Sequence, residues 1–163
     1  MDLYPRSGLL YGEIYVEGVD IDIVLPAQDV YYQINAWSEG PGHDGEFNGV
    51  ESEMVNDRIP IKYAGRYMVT WTASSYSVAK NEYEYEIHVN DGSKDFENTE
   101  GYRTTSVASA VGNSSGGGIC NFAVGDTVEL WVKRLDGGDV SPKTLTIRQA
   151  RITVVKMGGV NVA

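Results

Sequence analysis

Apolar and polar residues alternate along most of this chain. In residues 118–134, Val128, Leu130 and Val132 recur at every second position, with Glu129 and Lys133 between them. A period of two places one set on the core side of a strand and the other on the water side. Ile119, Cys120, Phe122 and Val124 lead into the same stretch. Gly125-Asp126 separates the halves, and it is a turn dipeptide. Glycine accepts positive φ, and Asp can hydrogen-bond its own backbone nearby. The pattern predicts two strands joined as a hairpin.

The rest of the chain reads the same way. Ile14 and Val16 form one short run, and Ile21, Ile23 and Leu25 a second after Gly18, with Pro26 ending it. Residues 30–37 are rich in β-formers. Tyr67, Val69, Trp71 and Ala73 share one face of a strong strand, opposite Arg66, Met68, Thr70 and Thr72. Residues 81–90 alternate most cleanly: Tyr83, Tyr85, Ile87 and Val89 on one face, Glu82, Glu84, Glu86 and His88 on the other. The second face reads as solvated. Asn90-Asp91-Gly92 follows as a hairpin-type turn. Residues 102–111 predict a strand, and 113–118, N-S-S-G-G-G, a flexible connection. In the last strand the apolar face changes parity between Ile147 and Ala150, the mark of a bulge.

Residues 38–57 are the longest weakly patterned stretch, a Gly-rich loop with a short edge strand expected at 50–55. No segment longer than about ten residues shows helical spacing. Short strands between Gly, Asn and Asp turns predict an all-β fold, a sandwich or barrel of roughly eight to ten antiparallel strands. Residues 1–12 carry Leu3, Tyr4, Leu9, Leu10 and Tyr11 around Pro5 and Gly8. They read either as an arm docked on this chain or a neighbour, or as a first strand. The expected division is an arm at 1–12, one domain at 13–159 and a tail at 160–163.

Composition narrows the function. The chain has 163 residues with 23 acidic and 13 basic ones, a formal charge of −10. Phosphates would be repelled, so neither nucleic acid nor an anionic membrane is an expected partner. One cysteine, Cys120, excludes an intrachain disulfide and sits in an apolar run. The start lacks a basic, apolar leader, so synthesis in a host cytoplasm without a signal peptide is expected.

No cofactor or metal is expected, and no catalytic residue stands out. His43 and His88 lack a partner at ligand spacing. Asp20 with Asp22, or Asp91 with Asp95 and Glu97, offer oxygens suited to calcium, but solvated acidic turns explain them as well. No phosphate-cradling loop, G-x-S-x-G or H-E-x-x-H motif occurs. Trp37, His43 and Phe47 border the Gly-rich loop, where aromatics beside polar groups would suit a glycan contact. Trp131 lies on the strand face opposite Val128, Leu130 and Val132, so it either contacts a subunit or caps the sheet.

Three segments in order carry a resemblance: Y-A-G-R-Y-M-V-T-W at 63–71, F-A-V-G-D-T-V-E-L-W-V at 122–132 and T-L-T-I-R-Q-A-R-I-T-V-V-K-M-G-G at 144–159. Together they resemble the tumour necrosis factor and complement globular-head superfamily, with bacterial and phage members nearest. The resemblance covers roughly residues 58–159 and implies a jelly roll assembled as a homotrimer. It also implies a non-enzymatic virion part: capsid decoration, head fibre or tail appendage. The partners would be the chain itself and a capsid or tail protein, with Leu3, Tyr4, Leu9, Leu10, Tyr11 and Trp131 as the expected contacts. The competing expectation is a carbohydrate- or receptor-binding module on a phage tail or cell surface.

Overall fold

The structure, a computed structural model, describes residues 10–35, 37, 47–48, 57–78, 80–105, 109–135 and 141–158. The strands are β1 (Tyr11–Leu25), β2 (Tyr32–Gln33), β3 (Phe47–Asn48), β4 (Ile59–Pro60), β5 (Gly65–Ser77) and β6 (Asn81–Val89). They continue with β7 (Lys94–Asp95), β8 (Gly101–Thr105), β9 (Gly112–Phe122), β10 (Thr127–Arg134) and β11 (Lys143–Lys156). A 3-10 turn spans Glu97–Thr99. One sheet of five strands runs β3-β1-β11-β5-β9. The other, of six, runs β2-β10-β6-β7, with β4 also on β10 and β8 on β6. The strand pairs are antiparallel.

The inner faces of the two sheets meet in one apolar core. Ile14, Trp71, Ile152 and Val154 enter it from the five-stranded sheet, and Tyr85, Ile87, Leu130 and Val132 from the six-stranded one. Each buried Val, Leu or Ile contributes about 1.5–3 kcal/mol. A one-residue slip of β10 would turn Leu130 outward and Trp131 and Glu129 inward, so burial fixes the register.

Several sequence expectations change here. Residues 118–134 are not a hairpin. β9 pairs with β5 and β10 with β6, so the chain crosses between sheets at Gly125, whose φ is 90°. The crossing is tied down by Gly125 N–H to Ile61 O at 2.8 Å and Ala123 N–H to Asp126 Oδ2 at 2.8 Å. Residues 113–118 are not a loose connection but the body of β9, paired with β5 from Ser74↔Asn113 to Val69↔Gly118. The glycines are needed there for space. A Cβ on Gly116 would lie 2.3 Å from Thr99 O and 2.7 Å from Trp71 Nε1. The two runs before Pro26 are one strand, irregular between Glu17 and Ile21, where Gly18 has φ 78°. The parity change in β11 is a register shift against β5 between Ile147 and Gln149, as its sequence indicates. The edge strand expected at 50–55 lies outside the described residues.

The division at residue 12 also shifts. Tyr11 and Gly12 already pair with Val155 and Val154, and Leu10 is buried at 3% exposure with its carbonyl bonded to Lys156 N–H. Leu10 and Tyr11 therefore belong to the sheet.

Candidate functional site

The outer face of the six-stranded sheet should be wet by its sequence, yet it is covered. Glu84, Glu86 and His88 point outward from β6 at successive alternate positions, and Glu129, Trp131 and Lys133 do so from β10. Register places His88 opposite Glu129, Glu86 opposite Trp131 and Glu84 opposite Lys133. On the other side of β6, Glu84 faces Tyr102. Glu84, Glu86 and His88 are 5%, 1% and 5% exposed, and Glu129 is fully buried. Alternation correctly says which way these side chains point. It does not say what comes to lie over them.

Aromatic rings supply the cover. Tyr31, from the segment before β2, stands edge-on to His88 with ring centroids 4.4 Å apart. Trp131 stacks on His88 with ring centroids 5.2 Å apart. Lys133 Nζ lies 4.5 Å from the centre of the Tyr31 ring and 2.9 Å from Glu84 Oε1. The Tyr31 hydroxyl donates to Glu84 Oε1 and also faces Glu86. Tyr102 donates to Glu100 Oε2 at 2.7 Å at the rim of the group.

Glu129 and Glu86 are both buried but differ in partners. Glu129 accepts three bonds: from Trp131 Nε1 at 2.9 Å, Thr127 Oγ1 at 2.8 Å and Asp91 N–H at 3.0 Å. Glu86 Oε2 lies 3.2 Å from His88 Nε2, and Glu86 Oε1 has no hydrogen-bond partner. With Glu86 ionised, His88 donates from Nε2, which leaves Nδ1 as an acceptor without a donor. Desolvation pushes the Glu86 carboxyl up to about 6, helped by Asp95, Glu100 and Glu84 and opposed by Tyr31. Desolvation also brings His88 down to about 4, so its ring is neutral at pH 7. Burial, with Glu84 and Glu86 as acceptors, raises Tyr31 well above the usual phenol range.

Glu84, Glu86 and Glu100 bring one carboxylate oxygen each to within 4.8 Å of one another. Two such charges repel by about 3 kcal/mol at an effective dielectric near 20. The sequence candidates for calcium do not assemble this way. Asp20 meets Arg148 at 3.1 Å and Tyr76 at 3.1 Å, and Asp22 accepts from Thr146 at 2.7 Å. Asp91, Asp95 and Glu97 are exposed, and they do not form a three-ligand cluster among the described residues. Glu100 was legible only as one more acidic residue beside a predicted strand.

Of the expected glycan contacts, the side chain of Trp37 is the one among the described residues. Trp37 is fully buried, and its indole N–H donates to Ile34 O at 2.7 Å, so it offers no face to a sugar. Phe47 is placed by its backbone, paired with Gly12. His43 lies outside the described residues, as do Leu3, Tyr4 and Leu9. Trp131 caps its own sheet, packed on His88 and beneath Gly92, where an added Cβ would lie 2.9 Å from its ring.

The outer face of the five-stranded sheet is different. Tyr11, Val155, Met68 and Ile119 are consecutive register partners across four strands. Met68 is 39% and Ile119 50% exposed, so the row is an apolar band facing water.

No family model matches the sequence, and no curated protein does either. Solved structures do match. Eiger TNF from S. frugiperda superposes with a TM-score of 0.60 at 8% identity, over 93% of this chain and 94% of that one. The globular domain of zebrafish complement 1qA protein gives 0.59 at 12% identity, over 92% and 98%. Murine APRIL at pH 5.0 gives 0.58 at 9% identity, over 92% and 100%. The fold is a jelly roll. It is the one shared by these tumour necrosis factor and complement globular domains. In this jelly roll the capped acidic group sits on one outer face and the apolar band on the other.

Proposed function

We propose that the chain is a non-enzymatic structural protein of a phage virion, working as an adhesive homotrimer of jelly rolls. The observation that carries self-association is the band Tyr11–Val155–Met68–Ile119 across the outer face of the five-stranded sheet. A heterologous contact of that face with a neighbour's edge closes into a ring when three copies meet. The virion assignment draws on the resemblance of residues 58–159 to bacterial and phage members. The adhesive partner is then a capsid or tail protein, and the residues before Leu10, with Leu3, Tyr4 and Leu9, are its proposed contact, since Leu10 onward is held in the sheet. A non-enzymatic role fits Cys120 sealed in the core at 1% exposure and His88 buried against Tyr31 and Trp131.

Light scattering of the purified protein should give three times the chain mass, and removing residues 1–9 should abolish co-sedimentation with particles without changing that mass. A monomer mass would sink the trimer. A truncated protein that still loads particles fully would sink the arm.

A carbohydrate- or receptor-binding module is the second reading, favoured by one groove. It has a volume of 590 Å³ and is lined by Thr72, Ser74, Tyr102, Asn113, Ser115 and Gln149. Hydroxyls and amides beside the exposed Tyr102 ring suit a neutral sugar. Thr72 and Ser115 share the sheet face with Met68 and Ile119, so trimer closure and sugar binding compete for that face. A glycan array that stays silent for the monomeric Met68→Glu variant would remove this reading.

A further inference from the structure

Most buried or paired acids of the described residues have an evident partner. Glu13 accepts from Thr153 at 2.9 Å, Asp22 from Thr146, and Glu129 from three donors. The Glu84, Glu86 and Glu100 group does not balance in this way. It gathers three carboxylates within 4.8 Å; Glu84 meets Lys133 Nζ at 2.9 Å and the Tyr31 hydroxyl, and Glu100 meets the Tyr102 hydroxyl at 2.7 Å. Glu86 contributes to the group from a side chain only 2% exposed, and its Oε1 has no partner. A buried anionic oxygen without a donor is the group that a bound cation would satisfy.

We propose that Glu84, Glu86 and Glu100 bind a hard divalent cation, calcium by size and donor type. The donors are oxygens, which suits calcium or magnesium over zinc. His88, the nearby nitrogen ligand, has its Nε2 turned to Glu86 Oε2 at 3.2 Å. Calcium takes oxygens at about 2.3–2.6 Å, so two of its ligands stand up to about 5 Å apart, whereas magnesium demands a tighter octahedron. Glu84 and Glu86 form the floor, being i and i+2 on the rigid central strand β6. Glu100 and the half-exposed Tyr102 form the rim, so the ion enters from solvent beside them and keeps waters on that side. The site lies on the sheet opposite the apolar band and does not depend on trimer formation.

The test is calorimetric titration of chelator-treated full-length protein with calcium chloride, paired with melting curves in calcium, magnesium and sodium at matched ionic strength. One calcium per chain is expected, with a melting temperature raised by calcium beyond the sodium control. Glu86→Gln and Glu100→Gln should each weaken binding by about tenfold or more. Glu82→Gln, exposed on the same strand, should leave binding intact. Without calcium, Glu86→Gln should melt no lower than the parent, because it removes a repelled charge, so its loss of binding is not a loss of fold. No heat and no calcium-specific rise in melting temperature up to about 10 mM would overturn the proposal. So would binding that survives both variants.

Discussion

Gly116 lies directly beneath the indole of Trp71. The ring is 1% exposed, and its Nε1 donates to Thr99 O at 2.8 Å, which locks the 3-10 turn over strand β9. A methyl group at Gly116 meets that nitrogen and that carbonyl together. Gly116→Ala should therefore destabilise the protein by about 1–3 kcal/mol, the usual cost of overpacking. Asn113→Ala, exposed in the same strand, should stay within about 0.5 kcal/mol of the parent. Urea denaturation of the three proteins checks both values. Equal stability of all three would mean that the turn yields easily.

The carboxylate of Glu129 should be worth more to the fold than that of Glu86. Glu129→Ala strands Trp131 Nε1, Thr127 Oγ1 and Asp91 N–H together and should cost about 2–4 kcal/mol. Glu129→Gln keeps an acceptor oxygen and should cost less. Chemical denaturation at neutral pH gives the comparison. If Glu129→Ala is as mild as Glu86→Gln, the three bonds have no net value.

Cys120 should be inert in the native state. Burial pushes its thiol up to about 11 from 9.0, with Lys94 opposing weakly. A thiol-reactive dye at pH 8 should label it only after unfolding. The unfolded chain loses this proton first as pH rises past 9, so stability falls from pH 9 toward 11. A Cys120→Ala variant should show a shallower fall over that range in pH-dependent melting. An identical slope in both proteins would assign the loss to other groups.

If the apolar band closes a trimer, Met68→Glu should split it. The side chain is exposed in the single chain, so the fold itself should tolerate the change, and circular dichroism should be unaltered. Mass by light scattering should drop to that of one chain. A trimer that survives both Met68→Glu and Ile119→Glu would move the interface elsewhere.

What the sequence disclosed follows from the range of its signals. Alternation reports direction, so the core residues Leu130, Ile87 and Val69 could be read directly, as could the parity change before Ala150. Pairing is a long-range property. Gly125-Asp126 looks the same whether the chain returns to its own sheet or crosses to the other, and only the partners of β9 and β10 decide. Glycines 116–118 read as slack because their reason, Trp71 and the turn at Glu97–Thr99, lies tens of residues away in sequence. The acidic face of β6 read as solvated because its cover comes from Tyr31 and Trp131, about fifty residues away on either side. Trp37 read as a surface ring because its hydrogen bond to Ile34 belongs to a loop conformation that no period encodes.

The pairing of β1 with β11 has a consequence for how the molecule is made. The last strand of the jelly roll in chain order, β11, lies in the middle of the five-stranded sheet, between the first strand and β5. Until it arrives, β1 and β5 have no common neighbour, so the β1–β3 and β5–β9 pairs remain separate. The six-stranded sheet can gather its own strands earlier, but the five-stranded sheet closes only once β11 is added. Such long-range closure predicts slow folding. It makes the nascent chain, more than the finished protein, the form most exposed to aggregation.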